Sequence, residues 1–251
     1  VSAKVFLVGA GPGAADLLTL RAARILAQAD YVLHDALVSP EILELCGNAR
    51  NIAVGKRGGR PSTDQAVINR LLVSAAKRVK CVVRLKSGDP MVFGRADEEL
   101  AACRAAGISV EVVAGIGAGF AAAAALGAPL TRRGVARSLT LLTPARARGA
   151  HNDGSWADAA QGAQTLAIYM GRSEAAGVRA ALQARGWRAA TPVVLAESVS
   201  LPEQSFHGGR LDELDALCAQ VGDGPALLLI GEVFEAQALA HSPASALARR
   251  A

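Results

Sequence analysis

Two glycine-bearing loops carry the residues best placed for chemistry. Leu85-Lys86-Ser87-Gly88-Asp89-Pro90-Met91-Val92-Phe93-Gly94-Arg95 sets a charged turn directly after the β-branched run Cys81-Val82-Val83-Arg84-Leu85. Gly9-Ala10-Gly11-Pro12-Gly13 does the same after Lys4-Val5-Phe6-Leu7-Val8. A strand that stops at such a sequence releases its backbone into a loop, and loops at strand ends are where α/β proteins bind ligands. Two of them point to one shared crevice. Two charged residues follow other short apolar runs: Asp35 after residues 31–34, a carboxylate able to accept a proton, and Lys56 after residues 52–54, an amine able to donate one or to anchor an anion. Their plainer readings are a turn-capping carboxylate and an exposed post-strand lysine.

The first loop, Gly9-Ala10-Gly11-Pro12-Gly13-Ala14, formally meets the glycine pattern of dinucleotide-binding folds, with Asp30 and Asp35 near the ribose-binding distance. Taken alone it leaves a dinucleotide-dependent oxidoreductase open. Against that, Pro12 removes a backbone N–H from the turn that a pyrophosphate would need as donor, so a ligand without phosphates fits better.

The elements that must position these loops follow from periodicity. From residue 4 to about 113, strand-like runs alternate with helix-like ones: 5–8, 17–27, 31–34, 42–46, 52–54, 64–77, 81–85, 98–106 and 110–113. This βαβ punctuation predicts a parallel sheet. After a Gly/Ala-rich helix near 117–126 and the turn at Pro129, strands are expected at 138–142, 165–169, 192–197, 204–207 and 226–230, with helices near 174–185 and 211–220 and a terminal Ala-rich helix over 236–251. The close spacing of the later strands around Pro202 predicts antiparallel pairing. The fold class expected is α/β, with two α/β domains and a ligand crevice between them: residues 1–115 with a parallel sheet and residues 116–251 with a mixed sheet. Residues 144–154 lack apolar periodicity and read as a mobile loop.

Composition narrows the partners. The 251 residues, 51% hydrophobic and 20% charged, suffice for a real core. The net charge of +5 favours an anionic partner, but the basic residues are scattered and only two Trp, two Tyr and five Phe are available for stacking, so nucleic acid is not expected. Cys46, Cys81, Cys103 and Cys218 show no paired spacing, which fits reduced thiols in the cytoplasm and argues against structural zinc; no metal is expected. The apolar run 112–130 is built from Ala and Gly and broken by Pro129, and the start of the chain lacks a charged-then-apolar leader, so neither a membrane span nor secretion is expected.

Seven segments in one order carry a family resemblance: Val8 to Gly13, Asp35 to Pro40, Val54 to Arg57, Leu85 to Arg95, Pro129-Leu130-Thr131, Tyr169-Met170-Gly171, and Pro225-Ala226 through Gly231-Glu232-Val233. Together, over residues 4–234, they resemble the tetrapyrrole methylases, and among these the uroporphyrinogen-III C-methyltransferases. The resemblance implies transfer of two methyl groups from S-adenosyl-L-methionine to C2 and C7 of uroporphyrinogen III, giving precorrin-2 for sirohaem, cobalamin or haem d1 and leaving S-adenosyl-L-homocysteine. It further implies a homodimer, an acceptor role for Asp35 and a donor role for Lys56. It carries cofactor binding onto Pro12, Ser87, Gly88, Asp89, Val92, Gly117, Ala118, Met170 and Val199. A sulfonium is already a good leaving group, so methyl transfer needs in-line positioning and one base for the departing proton. The eight carboxylates of the substrate call for guanidinium donors; Arg57, Arg95, Arg132 and Arg133 flank the loops, with Arg95 and Arg133 the leading anchors and Glu98 placed to orient Arg95.

Members of the family usually have Gly where Ser87 stands, Pro at Ala114, Thr at Gly117, Gly at Val199, and Thr-Gly-His where this chain has Thr143-Pro144-Ala145. These departures keep a further reading open, a degenerate, non-catalytic binder of cofactor or tetrapyrrole. A sister activity on a later corrin intermediate is also open, because the loops alone do not fix the ring position.

Overall fold

The computed structural model describes residues 4–55, 64–145, 154–243 and 245. They divide into two compact units between Ala118 and Gly119. In the first unit β1 (Lys4–Gly9), β2 (Tyr31–His34), β3 (Arg50–Ala53), β4 (Cys81–Lys86) and β5 (Ser109–Val113) alternate with α1 (Leu20–Leu26), α2 (Pro40–Glu44), α3 (Gln65–Ala76) and α4 (Ala96–Ala105). The strands lie in the order β3-β2-β4-β1-β5 with every pairing parallel. Apolar runs such as Val5 to Val8 suit this arrangement because a parallel sheet is covered on both faces.

Alternation along β4 shows which helices cover which face. Val83 and Leu85 pack with Ala22 and Leu26 of α1 and Ile42 of α2, whereas Val82 packs with Ile68 and Leu72 of α3 and Cys103 of α4. Each fully buried leucine in these layers contributes roughly 1.5–3 kcal/mol. The crossovers after β1 and β2 run one way along the sheet and those after β3 and β4 run back, so right-handed connections put the two helix pairs on opposite faces. Neighbouring β1 and β4 therefore send their loops to opposite faces, which makes a topological switch point.

The second unit holds α5 (Ala118–Leu126, beginning at the boundary), α6 (Ala175–Gln183), α7 (Leu214–Ala219) and α8 (Glu235–Ala240). Its sheet of β6 (Leu139–Leu142), β7 (Thr165–Tyr169), β8 (Pro192–Glu197), β9 (Ser205–Arg210) and β10 (Ala226–Ile230) runs β6-β7-β10-β8-β9. Only β6 and β7 pair in parallel; the others are antiparallel. Leu166, Ile168, Val193, Leu195, Leu228 and Ile230 form its core with Val178 and Leu182 of α6 and Leu214 and Leu217 of α7.

The two-sheet α/β architecture matches the expected class, and strands 31–34, 165–169, 192–197 and 226–230 keep their predicted bounds. Helix α1 is shorter than the predicted 17–27. Residues 15–17 form a separate 3-10 turn, and the Thr19 hydroxyl caps α1 by accepting from the Ala22 N–H at 3.1 Å. Helix α8 ends two residues before Ser242-Pro243, where proline disfavours a preceding helical residue. Residues 244 and 246–251 of the predicted terminal helix lie outside the described residues, as do residues 146–153 of the predicted 144–154 loop. Among the described residues no helix is long and apolar enough to cross a membrane. Cys46, Cys103 and Cys218 are buried and Cys81 half-buried, all as free thiols.

Candidate active site

At the carboxyl edge of the first sheet the two glycine loops are joined to each other. The Gly11 N–H donates to the Gly88 carbonyl at 3.2 Å, the Gly88 N–H returns a bond to the Gly11 carbonyl at 2.7 Å, and the Ala10 N–H donates to the Lys86 carbonyl at 2.7 Å. The ends of β1, β4 and β5 touch backbone to backbone. A Cβ on Gly9 would lie 2.5 Å from the Gly115 Cα, and one on Gly115 would lie 2.2 Å from the Gly88 oxygen. Gly88 itself is left-handed (φ +66) and a Cβ there would meet nothing within 4 Å, so this edge of the loop is open. Ser87 has no positive φ.

Asp89 also shapes its own loop. Its Oδ1 accepts from the Met91 N–H at 2.8 Å, closing a local turn, and its Oδ2 accepts from the Gly115 N–H at 3.0 Å. It thus ties the second loop to the segment after β5. Pro12, Ser87, Gly88, Asp89, Val92, Gly117 and Ala118 are all half-buried.

Asp35 sits at the same edge, beyond β2. Its N–H donates to the Leu85 carbonyl at 3.1 Å, and Gly55 packs so closely on the turn that a Cβ there would lie 2.1 Å from the Ala36 nitrogen. Its Oδ1 accepts from Nη2 of Arg84 at 2.5 Å. Arg84 projects from β4 onto the face covered by α3 and α4, where its Nε donates to Glu99 Oε1 at 2.7 Å and its Nη1 donates to the carbonyls of Leu33 and Leu85 at 3.3 and 3.1 Å. Lys86, two residues on and hence on the same face, donates to Glu99 Oε2 at 3.0 Å. Gln65 of α3 adds a bond to Glu99 Oε1 at 3.3 Å. Glu99 is 0% exposed, Arg84 2% and Lys86 3%.

Burial alone would lower the pKa of Arg84, but the charges of Asp35 and Glu99 and their hydrogen bonds outweigh it and raise it above the ordinary arginine value. Lys86 goes the other way: burial, then the Arg84 charge, push its ammonium below the ordinary lysine range against the pull of Glu99 and Asp35. Arg84, Lys86 and Glu99 were not among the expected site residues. The signal available in the sequence was Arg-x-Lys inside a buried β-branched run, which puts two cations on one covered face and demands a buried anion.

Arg95 and Glu98 form a two-pronged pair, Nε to Oε1 at 2.7 Å and Nη2 to Oε2 at 2.9 Å, exposed at the start of α4. Phe93 (φ 52) and Arg95 (φ 54) bracket Gly94 in left-handed conformations, and among the described residues the other non-glycines of this kind are Met170 (φ 55), Ser198 (φ 48) and Ser200 (φ 68). Each costs about 1–2 kcal/mol. All five lie at strand-end loops beside expected site residues, which is where backbone strain tends to be stored.

In the second unit β7 and β8 both run antiparallel to β10, so Met170 and the segment 198–200 leave the sheet at one end. Met170 is 50% exposed and therefore not a core residue, whereas Val199 is buried. Glu197, buried, accepts from the N–H groups of Gly222 and Gly224 at 3.2 and 3.0 Å and holds that loop beside Ser198. Arg133 is exposed within a tight turn closed by Arg132 and Ala136, which exchange bonds of 2.9 and 2.8 Å. Lys56, like Arg57, lies outside the described residues.

Of the two candidate ribose ligands only Asp35 stands at this edge, and its carboxylate is paired with Arg84. The Asp30 carboxylate accepts from the N–H groups of Lys80 and Cys81 at the opposite end of β4, so it is a structural cap and not a ribose ligand. Thr19 already caps the N-terminus of α1, which begins seven residues after Gly13 and offers nothing to a pyrophosphate in the first loop.

Comparison with known proteins agrees with the geometry. Residues 4–215 match the family model described as Tetrapyrrole (Corrin/Porphyrin) Methylases. A siroheme synthase of Zymomonas mobilis subsp. mobilis is 47% identical over 231 residues, covering 92% of this chain and 49% of that protein. The chain thus spans about half the length of the curated relatives it matches. Among solved structures, uroporphyrin-III C-methyl transferase from Thermus thermophilus, complexed with S-adenyl homocysteine, superposes with a TM-score of 0.81 at 36% identity, covering 93% of this chain and 99% of that one. A cobalt precorrin-4 methyltransferase superposes with a TM-score of 0.80 at 27% identity, covering 92% and 96%. The open glycine edge at the switch point and these likenesses lead to one statement: the chain belongs to the tetrapyrrole (corrin/porphyrin) methylase family.

Proposed function

We propose that this chain transfers methyl groups from S-adenosyl-L-methionine to C2 and C7 of uroporphyrinogen III, giving precorrin-2. The observation that carries the reading is the joined pair of glycine loops at the β1/β4 switch point with the Asp35 carboxylate beside it. The residues fit the cofactor. Gly88 leaves the loop edge open to close approach by an adenosine, and Pro12 withholds the N–H that a phosphate would want. Pro12, Ser87, Gly88, Asp89, Val92, Gly117 and Ala118 would hold it on the first unit, Asp89 also keeping the loop in shape, and Met170 and Val199 are proposed as further contacts. When bound, S-adenosylmethionine supplies an electrophilic methyl group on a sulfonium leaving group.

The protein's own part is positioning and proton handling. Asp35 accepts the proton lost from the methylated ring carbon, and its ion pair with Arg84 keeps it aimed. Lys56 is proposed as donor. Arg95, steadied by Glu98, and Arg133 bind substrate carboxylates; the Glu98 pair engages two of the five guanidinium donors of Arg95 and leaves others for the ligand. Cytoplasmic work as a homodimer belongs to the same proposal.

Purified protein given S-adenosylmethionine and uroporphyrinogen III without oxygen is expected to yield a dimethylated product. No transfer at all would sink the reading. Transfer to a corrin precursor alone would favour the sister activity suggested by the likeness to the cobalt precorrin-4 enzyme. Arg95→Ala is expected to raise the KM for the tetrapyrrole about 10- to 100-fold, the worth of one charged hydrogen bond, and to change S-adenosylhomocysteine binding less than about twofold. Equal losses in the two titrations would remove Arg95 from the substrate site.

A further inference from the structure

We propose that Arg84 is a positioning residue for Asp35, anchored by Glu99, which Lys86 and Gln65 hold in turn. The inference rests on the acceptor role given to Asp35 above.

A strand side chain ordinarily stands out from its sheet. Arg84 instead reaches across the sheet to the end of β2, where its Nη1 donates to the Leu33 carbonyl and its Nη2 to Asp35 Oδ1. Four hydrogen bonds from one guanidinium, to Glu99, Leu33, Leu85 and Asp35, leave it no freedom to turn. The Asp35 backbone is fixed by its N–H bond to Leu85 and by the close packing of Gly55. What remains is rotation of the carboxylate. A bond to one oxygen from a fixed guanidinium sets the plane of that carboxylate and directs the second oxygen to the proton it must accept.

The cluster of Asp35, Arg84, Glu99 and Lys86 balances two cations against two anions. Buried ion clusters of this kind seldom stabilise a fold better than apolar residues of similar size would. Of the four, only Asp35 has substantial exposure, its side chain being 27% exposed against 4% or less for the others. The buried charges thus converge on the one member that reaches solvent, which is the arrangement expected of a support and not of a core.

The test is a double-substitution cycle in the full chain. Arg84→Gln is expected to lower kcat about 10- to 100-fold, part of what a positioned base contributes, with KM and S-adenosylhomocysteine affinity changed less than about twofold. In an Asp35→Asn background the same change should cost less than about twofold, because Arg84 acts through Asp35. A purely structural role predicts instead that the two losses multiply, and that result overturns the proposal. So does an Arg84→Gln rate within about threefold of the wild type. Should Arg84→Gln fail to fold, Arg84→Lys keeps the charge but cannot reach Glu99 and Asp35 together. It is expected to show the same kcat loss with unchanged cofactor affinity, and wild-type turnover in it would overturn the proposal equally. Should the wild type transfer no methyl group, the reading above has failed by itself. Arg84 is then judged by amide hydrogen exchange: faster exchange at residues 35–38 in the variants supports its hold on Asp35, and unchanged protection refutes it.

Discussion

Gly115→Ala is expected to abolish S-adenosylhomocysteine binding and to destabilise the first unit by about 1–3 kcal/mol or more. The added methyl would lie 2.2 Å from the Gly88 oxygen and 2.7 Å from the Gly9 Cα, and both are backbone atoms that cannot rotate away. Relief would require Gly88 to retreat. Gly88 is held by its two bonds with Gly11, and the Asp89 carboxylate next to it is held by the Gly115 N–H. A shift large enough to admit the methyl therefore parts the two loops and reshapes the edge on which the cofactor is proposed to lie. Gly107→Ala supplies the control. Unlike Gly115 it has a positive φ, +67, but nothing lies within 4 Å of the new carbon, so it should cost about 1–2 kcal/mol of backbone strain and leave binding intact. Calorimetric titration and urea denaturation of both variants check this. Binding by Gly115→Ala within threefold of the wild type would show that the joined loops do not form the cofactor's bed.

The same close packing explains which departures from the family pattern the fold can absorb. Glycine is demanded at 9 and 115 by backbone contact and at 88 by its left-handed φ, but Ser87 has no left-handed φ that would call for glycine. The replacement at 87 therefore asks nothing unusual of the loop's backbone.

What could be read from the sequence was whatever depends on neighbours in the chain. The strand of residues 81–85 and the turn after it follow from β-branched residues giving way to Ser-Gly-Asp-Pro, and the two-sheet α/β class follows from the spacing of such runs. Asp89 shows the limit. An aspartate two residues before a free N–H is both a possible ligand and a turn closer, and only the fold, by bringing the Gly115 N–H to its second oxygen, shows that it also ties two loops together. Asp30 was ambiguous in the same way until its bonds to Lys80 and Cys81 placed it at the wrong end of the strand. Arg84 and Glu99 are fifteen residues apart, joined across a strand, a loop and the first turn of α4, and no local pattern links them. Met170, with its exposed side chain and strained backbone, could be named only through the family resemblance, since a lone methionine after a strand looks like core.

Glu99→Ala is expected to destabilise the protein by roughly 3–5 kcal/mol, the usual cost of leaving buried charge without its partner. Glu99 is fully buried and accepts from Arg84, Lys86 and Gln65 at once. Arg84 would keep Asp35 and two carbonyls, so the burden falls on Lys86, whose ammonium is ion-paired with Glu99. Its pKa is already lowered by burial and by Arg84, and removing Glu99 deletes one of the influences that raise it. Between the lowered folded value and the ordinary unfolded value, the unfolded chain binds more protons than the native one, so stability rises with pH across that window. In the variant the window extends to lower pH. Urea denaturation near pH ~7 and pH ~9 should therefore show a larger deficit at the lower pH. Adding Lys86→Met to Glu99→Ala removes the stranded cation and should recover part of the loss, with less dependence on pH. A Glu99→Ala protein as stable as the wild type at both pH values, or a double variant less stable than the single one, would mean that Lys86 and Arg84 do not depend on Glu99 for their burial.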